Sequence, residues 1–185
     1  MTQTIARTTP YPWPWDGRLE AARTALLVVT PRRGLALGGT DQEGRVREIA
    51  AVVNASGGTV ISVLTVPPRR EPDGEPLGTP AGVPADLVVE SSGVDGFYGS
   101  ALDAVLRGHG ADQLLLTGAG LETCVHSTMR SANDRGYECL LVLDACVPYR
   151  ADLAPAARSH VEMSGGIFGA VGTTTDVVAA YAALS

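Results

Sequence analysis

The chain of 185 residues contains no lysine; its 14 basic residues are all arginine. Lysine is normally among the commonest residues in soluble proteins, so whatever chemistry the chain performs proceeds without an ammonium side chain. Biased codon usage is the common origin of such an absence. The arginines stand singly or in pairs (Arg32 and Arg33, Arg69 and Arg70) and the formal charge is -6. There is then no basic stripe to neutralise a phosphate backbone, which argues against nucleic acid as a partner. Apolar runs are short: residues 25–29 are far below the roughly 18–20 residues of a membrane span. The polar N-terminus lacks the apolar core of a signal peptide, and a cytoplasmic location is expected. Three cysteines make an odd count with no CxxC pair, which excludes a dense disulfide scaffold and predicts reduced thiols. His109, His126 and His160 are dispersed, and no cluster has ligand spacing, so neither a metal nor another cofactor is expected.

With 45% hydrophobic residues the chain can bury one sizeable core. Residues 1–23 form an extended arm, because two X-Pro steps, Tyr11–Pro12 and Trp13–Pro14, oppose helix around Tyr11 to Trp15. Both tryptophans, Trp13 and Trp15, lie on it, and so much apolar area must cover the chain's own core or a neighbour; an oligomer contact is the favoured expectation. From residue 24 to 185, short apolar runs alternate with helical stretches, the pattern of an open, mostly parallel sheet covered on both faces, a three-layer α/β/α domain. Strands are predicted over 24–30, 59–66, 86–90, 113–117 and 138–143. Helices are predicted over 43–55, 101–106, 124–135, 152–163 and 175–183, the first closed by Gly57 and Gly58. Residues 67–84 (PPRREPDGEPLGTPAGVP) read as a surface loop and a candidate lid. No internal repeat is present.

In an open parallel sheet, ligands bind at the carboxyl ends of the strands, which singles out Thr30, the stretch 90–92 and the turn before Cys124. Cys124 is predicted in the first turn of its helix. There unpaired N–H groups and the helix dipole favour a thiolate and lower a thiol pKa from about 8.5 towards the range of roughly 3.5–7.5. The same N–H groups suit a developing oxyanion. A lone cysteine is nonetheless more often a small buried apolar residue than a nucleophile. Cys139 and Cys146 fall in or just after an interior strand and read as inert. His126, two residues on, lies about 200° around the helix from Cys124 and is excluded as its intrahelical base.

The stretch LLLTGAGLETCVHSTMRSANDRGYECLLVLDAC (114–146) resembles the isochorismatase-like cysteine hydrolases, especially the branch acting on biuret and related ureas. YPWPWDGRLEAARTALLVV near the N-terminus, GFYGSALDAVLRGHG and GGIFGAV add to the resemblance, which covers most of the chain outside 67–84. It implies the three-layer fold, a dimer or tetramer, and an Asp-Lys-Cys triad in which cysteine attacks a carbonyl, aspartate takes its proton and lysine fixes the pair. The family's cysteine matches Cys124. Its aspartate falls on Thr30, because ALLVVTPRR stands where ALLVIDMQ is expected, and its lysine falls on Ser91, counting back from Phe97. The resemblance further implies a cis peptide at Ala119–Gly120 building an oxyanion hole, and a pocket beside Phe97 and Tyr98. Glycine at 120 replaces the threonine of relatives, and the basic loop between the second and third strands is shortened.

Glu90 and Glu122 are the nearest carboxylates to the vacated positions and the candidate substitute bases. Their ordinary roles are a strand end at the surface and a favourable charge at a helix N-terminus. Two functions follow: a diverged enzyme that cleaves a C–N bond of a small amide or urea through Cys124, weakly or redirected, or an inactive homologue that binds a small molecule or assembles with an active paralogue. A dinucleotide-binding reading of Gly118-Ala119-Gly120 fails, since Thr123 occupies the third glycine position.

Overall fold

The computed structural model describes residues 3–32, 35, 37, 39–66 and 82–184. Six strands form one parallel sheet: β1 (Thr24–Pro31), β2 (Thr59–Thr65), β3 (Leu87–Glu90), β4 (Gln113–Ala119), β5 (Glu138–Val147) and β6 (Ala170–Gly172), in the order β3-β2-β1-β4-β5-β6. Five helices cover it: α1 (Asp41–Ala55), α2 (Leu102–Gly108), α3 (His126–Asp134), α4 (Ala154–Glu162) and α5 (Thr174–Ala182). The candidate lid at 67–84 lies outside the described residues except for 82–84.

Alternation along β1 shows why its apolar run is continuous. Ala25, Leu27 and Val29 pack into one core with Leu106 of α2, Met129 of α3 and Val161 of α4. Leu26 and Val28 pack into the other with Ile49 and Val53 of α1 and Val177 and Tyr181 of α5. A strand between two helical layers has no solvent face, so both of its faces are apolar. Sequence periodicity placed α1 correctly: Val46, Ile49, Ala50 and Val53 are its buried stripe, Thr40 caps its start, and Gly57 at φ +87° follows its end. Strand order reverses between β1 and β4, and the turn after β4 therefore opens at the switch point where loops diverge.

Besides β6, which no predicted strand covers, β5 and α4 depart from expectation. β5 runs four residues beyond 143, because its pairing with β4 jumps from Leu116↔Leu141 to Gly118↔Cys146, leaving 142–145 as a bulge. Asp144, whose charge argues against a strand interior, sits in that bulge and accepts hydrogen bonds from the Thr174 N–H (2.8 Å) and hydroxyl (3.1 Å). The helix expected over 152–163 is split, with a 3-10 turn over Ala151–Leu153 preceding α4.

The arm folds back on its own domain. Ile5 and Trp13 are fully buried, Ile5 N–H donates to the Trp13 carbonyl (2.7 Å), and Thr9 pairs antiparallel with Val171 on the free edge of β6. Trp13 joins the chain's own core, in the cluster that also holds Leu19 and Leu140. Trp15 is 72% exposed. Arg7 reaches from the arm to the buried carboxylate of Asp176 on α5.

Truncating a buried tryptophan typically costs about 3–5 kcal/mol. Trp13→Ala is expected to lose that much in urea denaturation, whereas Trp15→Ala should lose less than about 1 kcal/mol. Equal effects would contradict the placement of the arm.

Candidate functional site

The turn that carries Cys124 begins with a backbone approach only glycine permits. At Gly118 the chain has φ +130°, and a Cβ there would lie 1.8 Å from the Val29 carbonyl oxygen on β1. Gly120 follows at φ +82°, in left-handed conformation. Between them the peptide turns out of the sheet: Gly120 N–H donates back to the Val147 carbonyl of β5 (2.8 Å). The chain then winds into a π-helical turn over Leu121–Val125, closed by Val125 N–H to the Gly120 carbonyl (3.2 Å), before α3 begins. Such insertions in a helix are frequent at functional sites.

Cys124 sits in this turn, 1% exposed, in the core that contains Val29, Val63 and Leu116. Its Sγ–H donates to the Ala119 carbonyl at 2.9 Å, with the Gly120 carbonyl at 3.7 Å. The hydroxyls of Thr65 and Thr123 and the N–H groups of Cys124 and Val125 also reach the sulfur. These four donors favour the thiolate, but burial outweighs them and pushes the Cys124 thiol up. This corrects the expectation of a lowered pKa. The dipole is present, but the sulfur is desolvated and a carbonyl oxygen stands 2.9 Å from it.

The cis peptide expected at Ala119–Gly120 is also corrected. The cis bonds among the described residues are Thr9–Pro10 and Trp13–Pro14, both in the arm. At Ala119–Gly120 the N–H is committed to β5 and the carbonyl faces the sulfur, so the turn presents an acceptor where an oxyanion hole needs donors.

Thr30 and Ser91, at the positions the resemblance gives to aspartate and lysine, are both 4% exposed. The Thr30 carbonyl lies 3.3 Å from the Thr65 hydroxyl, which donates either there or to the Cys124 sulfur, and the Ser91 hydroxyl donates to the Gly93 carbonyl (2.8 Å). Neither side chain supplies a charge. The candidate bases are engaged elsewhere: Glu90 is ion-paired with Arg32 at the surface (3.3 Å), and Glu122 accepts from the N–H groups of Tyr149 (2.8 Å) and Arg150 (3.0 Å). Phe97 is a core residue, stacked on Tyr137 with ring centroids 5.8 Å apart, and Tyr98 is 65% exposed. The Phe97 ring is thus a wall of the core rather than of an open pocket.

His126 opens α3 and turns away from the thiol. Its ring meets His160 of α4 edge-on at 6.0 Å, and burial, then Arg130 and His160, push its pKa down. A cavity of about 220 Å³ lies there, bounded by Glu122, His126, Leu153 and His160. Cys139 and Cys146 are buried in the sheet and burial raises both thiols far above the ordinary range, as inert cysteines require.

Two residues of the site were missed by the sequence reading. Thr65 ends β2 on the face of Ile61 and Val63, so the alternation of that strand carries the signal. Tyr149 lies beyond the bulge of β5, and its ring edge, the Cys124 sulfur and the Thr123 hydroxyl all converge within about 3 Å of the space over Gly120. No spacing in the sequence announces that convergence.

The comparisons with known proteins agree with this architecture. A family profile described as "Isochorismatase domain" matches residues 24–176. The ureidoacrylate amidohydrolase RutB of Variovorax paradoxus (strain S110) is 33% identical over 97 residues, 52% of this chain and 38% of that protein. The matched stretch thus spans less than half of that curated relative. An isochorismatase family protein from Burkholderia thailandensis superposes with a TM-score of 0.73 at 27% identity, over 87% of this chain and 96% of that one. A cysteine hydrolase from Pseudomonas syringae pv. phaseolicola 1448A gives 0.73 at 20% identity, over 90% and 96%, a likeness of fold alone.

Gly118→Ala places a methyl group inside a carbonyl contact and is expected to cost about 3 kcal/mol or more, or to prevent folding, by urea denaturation. A loss below about 1 kcal/mol would contradict the close approach of β4 to β1.

Proposed function

Because the chain belongs to the isochorismatase domain family, we propose that it binds a small amide- or urea-type carbonyl compound over Cys124 and cleaves its C–N bond only weakly. The observation that carries this reading is the company the sulfur keeps: threonine hydroxyls and carbonyl oxygens, with Thr30 and Ser91 where the resemblance expects aspartate and lysine.

The chemistry follows from that company. The Cys124 sulfur forms a bond to the carbonyl carbon, the carbonyl π pair moves to oxygen, and the thiol proton leaves to water. Collapse of the adduct breaks the C–N bond, and the departing nitrogen takes a proton from water. A second water then cleaves the thioester to an acid and restores the thiol. The net change is amide plus water to acid plus amine. A positioned base at the first step is worth a factor of about 10²–10⁴, or roughly 3–5 kcal/mol of barrier. Neither threonine nor serine accepts that proton, so the step depends on the small thiolate fraction that a raised pKa leaves at neutral pH.

The relative RutB is named for ureidoacrylate, which makes carbamoyl compounds the first substrates to test. The exposed Trp15 and Ile167 beside the arm suit a homo-oligomeric assembly, which belongs to the same proposal. A second reading, binding without turnover, is favoured by the S–H donation to Ala119: a thiol so engaged is held in its unreactive form.

Release of amine or ammonia from a panel of small carbamoyl compounds separates the two. The proposal expects slow turnover that vanishes in Cys124→Ser and keeps rising above about pH 9, because thiolate forms only as pH passes the raised thiol pKa. The double substitution Thr30→Asp with Ser91→Lys should raise the rate by about 10²-fold or more. Turnover that survives Cys124→Ser would remove the proposal. Ligand binding with no turnover in either protein would establish the second reading.

A further inference from the structure

Glu122 lies two residues before a nucleophile position, yet both of its oxygens are engaged by backbone N–H groups beyond β5. Oε2 accepts from Tyr149 N–H at 2.8 Å and Oε1 from Arg150 N–H at 3.0 Å. A carboxylate taking two successive backbone N–H groups is a charge-assisted clamp on the chain that leaves β5. Downstream, the Arg150 guanidinium grips Asp152 through Nε (3.1 Å) and Nη2 (2.6 Å), and its carbonyl accepts from Leu153 N–H (3.0 Å). The turn at 149–150 is thus pinned on one side to the residue two before Cys124 and on the other to the start of α4.

The pinned side chain is an aromatic ring. Tyr149 is 49% exposed, and its Cε2 lies 3.1 Å from the point where a Gly120 Cβ would stand. The Cys124 sulfur lies 2.7 Å and the Thr123 hydroxyl 3.0 Å from the same point. The phenol also hydrogen-bonds Thr123. One edge of the ring therefore overlies the glycine that leaves room for the sulfur, while the rest meets solvent. Cys124 itself is 1% exposed.

We propose that Tyr149 is the gate to the Cys124 thiol and that Glu122 is the positioning residue that holds it closed, through the 149–150 backbone. A single ring hinged on two backbone hydrogen bonds opens at a cost well below global unfolding. It presents a flat apolar edge to what enters, and so favours small planar carbonyl compounds over bulky ones. The proposal rests on the ligand site lying over Cys124.

Peptide-resolved alkylation of the folded full chain tests it, with iodoacetamide and a bulkier maleimide at about pH 8.5, where the thiolate fraction, though small, exceeds that at neutral pH. Cys139 and Cys146 serve as internal references for global opening. Tyr149→Ala is expected to speed labelling of Cys124 roughly tenfold with iodoacetamide and more with maleimide, leaving the two reference cysteines unchanged. Glu122→Ala should give about threefold or more, Glu122→Gln, which keeps one acceptor, a smaller gain, and Tyr149→Phe less than about twofold. Unchanged Cys124 labelling in both alanine variants would overturn the gate. Parallel acceleration of all three cysteines would also overturn it, since the clamp would then serve only stability. The readout needs no substrate, so failure of turnover leaves this result standing, and an absent gate leaves the turnover reading untouched.

Discussion

On the proposed function, the proton held on the Cys124 sulfur is the constraint on which the chemistry depends. The Cys124 S–H donates to the Ala119 carbonyl at 2.9 Å, in a position 1% exposed, and among the described residues no carboxylate is one of the groups that act on it. Helix-terminal N–H groups and two threonine hydroxyls favour ionisation, but desolvation of a thiolate in an apolar core is the larger effect. A nucleophile position with a helix dipole but without a base keeps its geometry and loses its driving force. On the proposed function, addition to a carbonyl is then limited by the rare ionised form.

That geometry is inherited from the sheet. β1 and β4 are adjacent in space but separated in sequence by two other strands, and their carboxyl ends diverge at the switch point. Gly118 lets β4 press its backbone against the Val29 carbonyl, and Gly120 turns the chain back over the strand tips. The π-helical turn then sets the sulfur over β1 and β2, where Thr65 meets it. The arm contributes remotely, by closing the β6 edge with Thr9 and filling the α1 and α5 side with Trp13. It stabilises the platform without touching the thiol.

Much of this was legible from residue order alone. Runs such as ALLVV mark strands buried on both faces, and the four-residue stripe of α1 and its terminal glycines fix that helix to within two residues. β5 is predicted to end at Leu143, whereas the bulge carries the strand on to Val147 and lets the Asp144 carboxylate cap α5. The site was legible in position and not in state. Spacing placed Cys124 at a helix start, but the sign of its pKa shift depends on burial, which no local pattern carries. Glu122 and Glu90 were candidates because they are near in sequence, and hydrogen bonds to Tyr149, Arg150 and Arg32 show what each is doing instead. Tyr149 was invisible because its place over Gly120 is created by the β5 bulge and by the clamp.

The most direct measurement is the ionisation of Cys124 itself, read from the ¹³Cβ chemical shift of cysteine-labelled protein as pH is raised. A shift that stays at the protonated thiol value beyond the roughly 8.5 of a free cysteine is the predicted result. A thiolate shift already at neutral pH would contradict the account, because it would require a charge-stabilising partner that the described residues around the sulfur do not supply.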